Sequence, residues 1–139
     1  MKYSIFFFLS LFINLSHSEV SSLQDKDWIY VDTSIQSQHK VYIGEKSISI
    51  NQKDSRKVNF WMMIQYGQKQ AEIINSAKAY FTGDCKNSRV QINRLIAFTG
   101  EYLTGEDKLA PISKEWIEVP PSSLYGSLLR YACSALGKI

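Results

Sequence analysis

Histidine and cysteine are scarce in this chain. Each occurs twice, as His17 and His39 and as Cys85 and Cys133. A structural zinc site needs about four ligands of these types, more than the two cysteines and His39 supply, so no metal site is expected. A redox motif would hold its cysteines two residues apart, and these are far apart. A catalytic cysteine would need a histidine base held by a third group, and His39 lies in the polar run "QSQHK", which reads as solvated. The chain also lacks a Gly-rich phosphate loop, a nucleophile elbow and a histidine–carboxylate motif. No enzyme, no catalytic residue and no cofactor is expected. Asp25 and Asp27 are paired acids ahead of a strand, and turn solvation explains them. A strong charge of one sign is missing too: 16 basic residues face 13 acidic ones, a formal charge of +3. That is too weak a bias to argue for nucleic acid.

Long apolar runs are rare, and the one present is terminal. In "MKYSIFFFLSLFINLSHS", Lys2 supplies a positive n-region, Ser4 to Leu15 the apolar h-region, and Ser16 and Ser18 the small residues at −3 and −1. This reads as a signal peptide, residues 1–18, cleaved after Ser18. The run is shorter than the roughly 20 apolar residues a membrane span needs. No cysteine near the cut offers a lipid attachment point. Cleavage removes one lysine and no acid, so +3 becomes +2 for residues 19–139. That stretch is expected to form a single domain, exported to the periplasm, the outer-membrane surface or the medium, with no transmembrane segment. In oxidising surroundings a pair of cysteines defaults to a disulfide, here Cys85 with Cys133.

What the chain does have is alternation with period two. "DWIYV" (Asp27 to Val31) and "KVYIG" (Lys40 to Gly44) are β-branched and aromatic, as strands are, and "SISIN" follows with Ile48 and Ile50 on one face. "VNFWMMIQY" is the clearest strand: Val58, Phe60, Met62, Ile64 and Tyr66 share a core face. Trp61 and Met63 make its other face partly apolar, so something is expected to cover it. Gln68–Ile74 reads as a short helix or turn, followed by a strand over Ala77–Asp84. "SRVQINRLIAFTGEY" alternates again, with Val90, Ile92, Ile96 and Phe98 in phase and Arg94 breaking it. Thr104–Pro111 reads as a loop. After Pro120 and Pro121 the period changes. Ser122 or Ser123 can cap a helix, Leu124, Leu128, Leu129, Ala132, Cys133 and Leu136 follow helical spacing, and Gly137 is a good stop. Cys133 falls on the apolar face and Cys85 at a strand end, so their bond would clamp helix to sheet. The fold class is α+β: an antiparallel β-sheet meander with a C-terminal α-helix packed on one face and tethered by a disulfide.

Several short motifs then occur in a telling order: "VYIGEKSISI", "VNFWMMIQY", "DCKNSRVQI", and the ending "WIEVPPSSLYGSLLRYAC" (Trp116 to Cys133). Together they resemble the surface-adhesin E family of Gram-negative bacteria over roughly residues 40–134. Gly44 departs from the family's acidic residue at that position. The resemblance implies an antiparallel sheet with a C-terminal helix tethered by Cys85–Cys133, and an outer-membrane or periplasmic setting. It also implies binding to host extracellular-matrix or serum proteins. The other functional class is a periplasmic structural or accessory domain with an envelope partner and no adhesive role.

Candidate partner-binding residues are basic. Lys53, Arg56 and Lys57 lie in a predicted hairpin loop, "QKDSRK", and Lys86 and Arg89 flank Cys85. Such clusters suit sulfated glycans or acidic protein surfaces, against the plainer reading of a solvated hairpin tip. Trp28, Tyr30, Trp61 and Trp116 exceed what one core holds comfortably. Edge pairing or sheet packing into a homodimer is one use for them, and a core shared by sheet and helix is the other.

Overall fold

The computed structural model describes residues 27–71 and 73–139. The expected leader, residues 1–18, and Asp25 lie outside the described residues. The described chain forms strands β1 (Trp28–Thr33), β2 (Lys40–Gly44), β3 (Ser49–Ile50), β4 (Lys57–Gln70), β5 (Ile74–Asp84), β6 (Arg89–Phe98), β7 (Asp107–Leu109) and β8 (Ile117–Glu118), then helix α1 (Leu124–Ala135). The strands make one antiparallel sheet in the order β1-β2-β4-β5-β6-β7. The short strands fill its edges: β3 pairs with β4 beyond the end of β2, and β8 pairs with β6 at the end opposite β7. Between β2 and β3 a single 3-10 turn (Glu45–Ser47) bridges the gap. There the Ser47 hydroxyl donates to the Gly44 carbonyl and accepts the Trp61 N–H at 2.8 Å, standing in for a missing ladder partner.

The alternation in β4 sorts the sheet into two faces. Val58, Phe60, Met62 and Ile64 are buried on one, with Val41 and Ile43 of β2, Ala77, Ala79 and Phe81 of β5 and Val90 of β6. Helix α1 covers this face with Leu128, Leu129, Ala132 and Cys133. Phe81 meets Phe60 and Tyr125 edge-on, with centroids 5.6 and 5.3 Å apart. Each large side chain removed from water here stabilises the fold by about 2 kcal/mol. Close approach requires Gly83: a Cβ there would lie 2.3 Å from Leu129 Cδ1. The helix ends are chemically defined. Ser123 Oγ accepts the Gly126 N–H at 3.0 Å. At the other end Gly137 adopts φ 68°, and the N–H groups of Lys138 and Gly137 bond the carbonyls of Cys133 and Ser134 at 2.8 and 3.1 Å. This double bond pattern closes a helix that would otherwise leave orphan carbonyls. Cys85 and Cys133 are disulfide-bonded, their Cα atoms 6.0 Å apart, so the tethered α+β arrangement expected from the sequence is present.

Three local expectations are narrowed or overturned. Of the short helix or turn expected over Gln68–Ile74, the turn forms, at its far end. Strand β4 runs on to Gln70, the chain reverses through Ala71 at φ 48°, and Gln70 pairs with Ile74. A helix this short does not recover its nucleation cost, whereas the hairpin extends a ladder already formed. The 104–111 segment is not wholly loop, because Asp107–Leu109 pairs with β6. The phase of β6 also fails. Phe81 pairs with Ile92 and Tyr80 with Arg94, leaving Asn93 as a bulge. One extra residue flips every later side chain, so Val90 and Ile92 face the helix, while Ile96 and Phe98 face the other side. The break sensed at Arg94 is this bulge.

The second face is covered at one end only. Met63, Phe98 and Leu103 are buried together, flanked by Trp28, Tyr42, Ile96 and Tyr102. The segment after β6 folds over them. Its Tyr102 N–H donates to Gln65 Oε1 at 2.7 Å, and its Leu103 N–H to Ser76 Oγ at 2.9 Å. This explains why two polar residues, Gln65 and Ser76, are buried in central strands: they receive a loop. The other end of this face stays open.

Candidate partner-binding site

The open end is a cleft of about 760 Å³. Its floor is a row across β4, β5 and β6, where Asn59 pairs with Thr82 and Thr82 with Gln91, and the bulge adds Asn93. The β3–β4 connection (Asn51 to Asp54) walls one side, and Lys114 and Trp116, leading into β8, wall the other.

The hairpin wall is built by Asn51. Its Oδ1 accepts the N–H groups of Lys53 and Asp54 at 2.9 and 3.0 Å, an Asx-type turn. Its Nδ2 donates to Asn59 Oδ1 at 2.9 Å, which fixes the loop to the floor. Asp54 then collects cations: Arg56 Nε at 3.0 Å and Lys57 Nζ at 2.6 Å. Bonds from the Arg56 and Lys57 side chains hold the Asp54 carboxyl well below the usual carboxylate range. Lys138, just past the helix, donates to the Ser55 carbonyl at 2.7 Å, tying the C-terminal end to this loop.

The opposite corner is organised by Asp84, whose side chain is only 6 % exposed. Burial pushes its carboxyl up. Bonds from the Asn87 side chain and N–H and from Arg89 Nε, the last at 3.0 Å, outweigh that and leave it below the usual value. Lys57 pairs in register with Asp84, and Asp84 with Arg89. The two sequence clusters therefore meet across three strands. Trp116 marks the junction, with the Arg89 guanidinium 4.5 Å and the Lys57 ammonium 5.7 Å from its ring centre, within cation–π range.

The five expected basic residues thus separate. Lys53 and Lys57 line the cleft, Lys57 and Arg89 flank Trp116, Arg56 is folded onto Asp54, and Lys86 is exposed on the β5–β6 turn away from the cleft lining. Sequence reasoning did not single out Asn51, Asn59, Thr82, Gln91, Asn93 or Lys114. The available signal was polar residues at alternate positions inside strands that read as apolar, as in "VNF" and "VQINR". Of the surplus aromatics, Trp28 flanks the smaller cluster, and Trp61 lies 5.2 Å from Tyr80 with Lys78 over its ring at 5.5 Å. None of Trp28, Tyr30, Trp61 and Trp116 joins the helix-side core. His39 is not simply solvated. Its Nδ1 accepts the Gly67 N–H at 2.9 Å and its ring meets Tyr66 edge-on. Among the described residues no helix is long and apolar enough to cross a membrane.

The fold has counterparts among solved structures, and the sequence matches a family model. The family model described as surface-adhesin protein E matches residues 28–134. The structure of Haemophilus influenzae protein E superposes with a TM-score of 0.62 at 15% identity, covering 81% of this chain and 87% of that one. A structure of protein E from non-typeable Haemophilus influenzae gives a TM-score of 0.52 at 16% identity, covering 70% of this chain and 71% of that one. No curated protein matches. At such identities the structural likeness speaks for the fold, and the family match covers most of the described chain. The chain belongs to the surface-adhesin protein E family.

Proposed function

We propose that this chain is an exported, non-catalytic binding module, a single domain over residues 19–139 released from a leader at 1–18. It engages an acidic partner, such as host matrix or serum proteins or sulfated glycans, through the basic end of its open sheet face. The observation that carries this reading is the convergence of Lys57 and Arg89 on Trp116 beside a cleft that also holds Lys53. A cationic rim around a half-buried indole is suited to anionic groups, and its attraction weakens with salt. Lys86 contributes at longer range, from the neighbouring turn.

The test is binding to immobilised heparin and to a matrix-protein coat. Wild-type protein is expected to bind both and to elute with rising salt. Lys53→Glu, Lys57→Glu and Arg89→Glu together should abolish retention, with the far-ultraviolet circular dichroism unchanged. Retention of the triple variant at wild-type salt would remove this end of the sheet as the contact surface. The alternative, a periplasmic accessory domain, predicts protection from protease on intact cells and digestion only after the outer membrane is opened.

A further inference from the structure

The cleft's floor carries more information than its charge. Its amides are held in one orientation by bonds they donate: Asn59 Nδ2 to Thr82 Oγ1 at 2.7 Å, Asn93 Nδ2 to the same oxygen at 2.8 Å, and Gln91 Nε2 to the Lys114 carbonyl at 2.5 Å. Each bond uses an amide nitrogen and leaves an amide oxygen in a fixed place. Among the described residues, no hydrogen bond engages Asn93 Oδ1 or Gln91 Oε1. Thr82 Oγ1 accepts twice, so its hydroxyl hydrogen is also unspent, as is the hydroxyl of Tyr80 on the same lining. No buried side-chain polar atom among the described residues lacks a partner, so Asn93 Oδ1, Gln91 Oε1 and the Tyr80 hydroxyl meet the solvent in the cleft. They form a preorganised set of both kinds on one lining, beside a half-buried indole and with three lysines, Lys53, Lys57 and Lys114, opposed by one carboxylate, Asp54.

We propose that this cleft binds an acidic saccharide chain. Sugar hydroxyls both donate and accept, and fixed amide oxygens next to free hydroxyls satisfy them without reorganisation. The apolar side of a pyranose ring packs beside Trp116 on the cleft lining, next to the cations that Lys57 and Arg89 hold over the indole. Sulfate or carboxylate groups on the chain meet Lys53, Lys57 and Lys114. A flat acidic protein surface would need the cations but not the recessed amide row. A nucleobase would want an apolar slot, and this floor is amide and hydroxyl. The volume of about 760 Å³ is in the range of small-ligand clefts. The assignment rests on the proposed basic binding end and names its ligand class.

The test is calorimetric titration of the full exported chain with four probes. These are a heparin-derived hexasaccharide, an oligouronate bearing carboxylates only, a neutral cello-oligosaccharide, and polyglutamate matched in charge to the hexasaccharide. Binding of either acidic sugar in preference to polyglutamate is the expected result, and the ratio between the two sugars tells a sulfated source from a uronate one. Gln91→Ala with Asn93→Ala should weaken the sugar about tenfold while leaving polyglutamate unchanged. Gln91→Glu, which keeps the side-chain shape, should weaken it as well by repulsion. Equal affinity for polyglutamate and sugar, with Gln91→Ala and Asn93→Ala silent, would overturn the saccharide assignment and leave the basic end standing. Failure of every anionic probe would overturn both.

Discussion

The two faces of one sheet are put to opposite uses. On the helix side, residues of β2, β4, β5 and β6 are almost all apolar and almost wholly buried, with Phe60, Phe81, Ile43 and Leu128 at 0 % exposure. On the other side the same strands present Asn59, Thr82, Gln91 and Asn93, and only one end is closed, by the loop carrying Tyr102 and Leu103. The difference teaches where stability resides and where the proposed recognition would. The closed face is held by burial, which tolerates no unpaired polar group, and by a covalent bond. The open face is held by side-chain hydrogen bonds that leave some valences unused, which is the condition for binding something.

If that division holds, damage to each face should have its own signature. The largest effect is expected from Cys85→Ala with Cys133→Ala. Opening a loop of 48 residues should cost about 4 kcal/mol in the chain-entropy model, read as a lower urea midpoint, while saccharide or heparin affinity extrapolated to the folded state stays the same. A loss of affinity equal to the loss of stability would break the comparison. Next comes Gly83→Val, which drives a side chain into Leu129. It should destabilise by about 2 kcal/mol, and the pair Gly83→Val with Leu129→Ala should recover part of that in urea unfolding. The smallest effect is one of pH. The Asp84 carboxyl lies below its usual 3.8 when folded, so the stability it contributes is complete above that value and is lost as pH falls through the folded one. Arg89 should then release Asp84 and loosen over Trp116. A fluorescence change below about pH 3.8, absent in Trp116→Phe, should precede loss of the helical circular dichroism signal. Simultaneous loss of both would mean that the two faces melt as one.

Much of the closed face was legible in advance. The period-two run of β4, the 3.6-residue spacing of α1, Ser122 or Ser123 as its cap and Gly137 as its stop are local patterns, and local patterns report which face is buried. The open face was legible only in fragments. The basic loop was visible, but Arg56 and Lys57 carry a neighbouring Asp54 that takes up part of their charge. The surplus aromatics were visible, but nothing along the chain says that Trp116 comes to rest beside Lys57, across three strands. The polar floor was hidden by its interleaving: Asn59 and Gln91 occupy alternate positions between apolar neighbours and look like ordinary solvent-side residues. The bulge at Asn93 was the hardest feature to foresee, because a period-two reading carries its phase through an inserted residue without registering it.

The sequence by itself determined most of the long elements, the facing of β4 and α1, and the pairing of the two cysteines. Each of these follows from side-chain order over a few residues, and for the disulfide from the absence of any rival partner. The tertiary structure decided the rest: that β4 outruns its predicted end and takes the turn, not the helix, of the two readings of the 68–74 segment, that β6 changes face midway, and that the two basic clusters share one indole above a row of amides. These depend on strand register, and register is set by contacts between residues distant along the chain, as in Lys57 with Asp84 and Asp84 with Arg89.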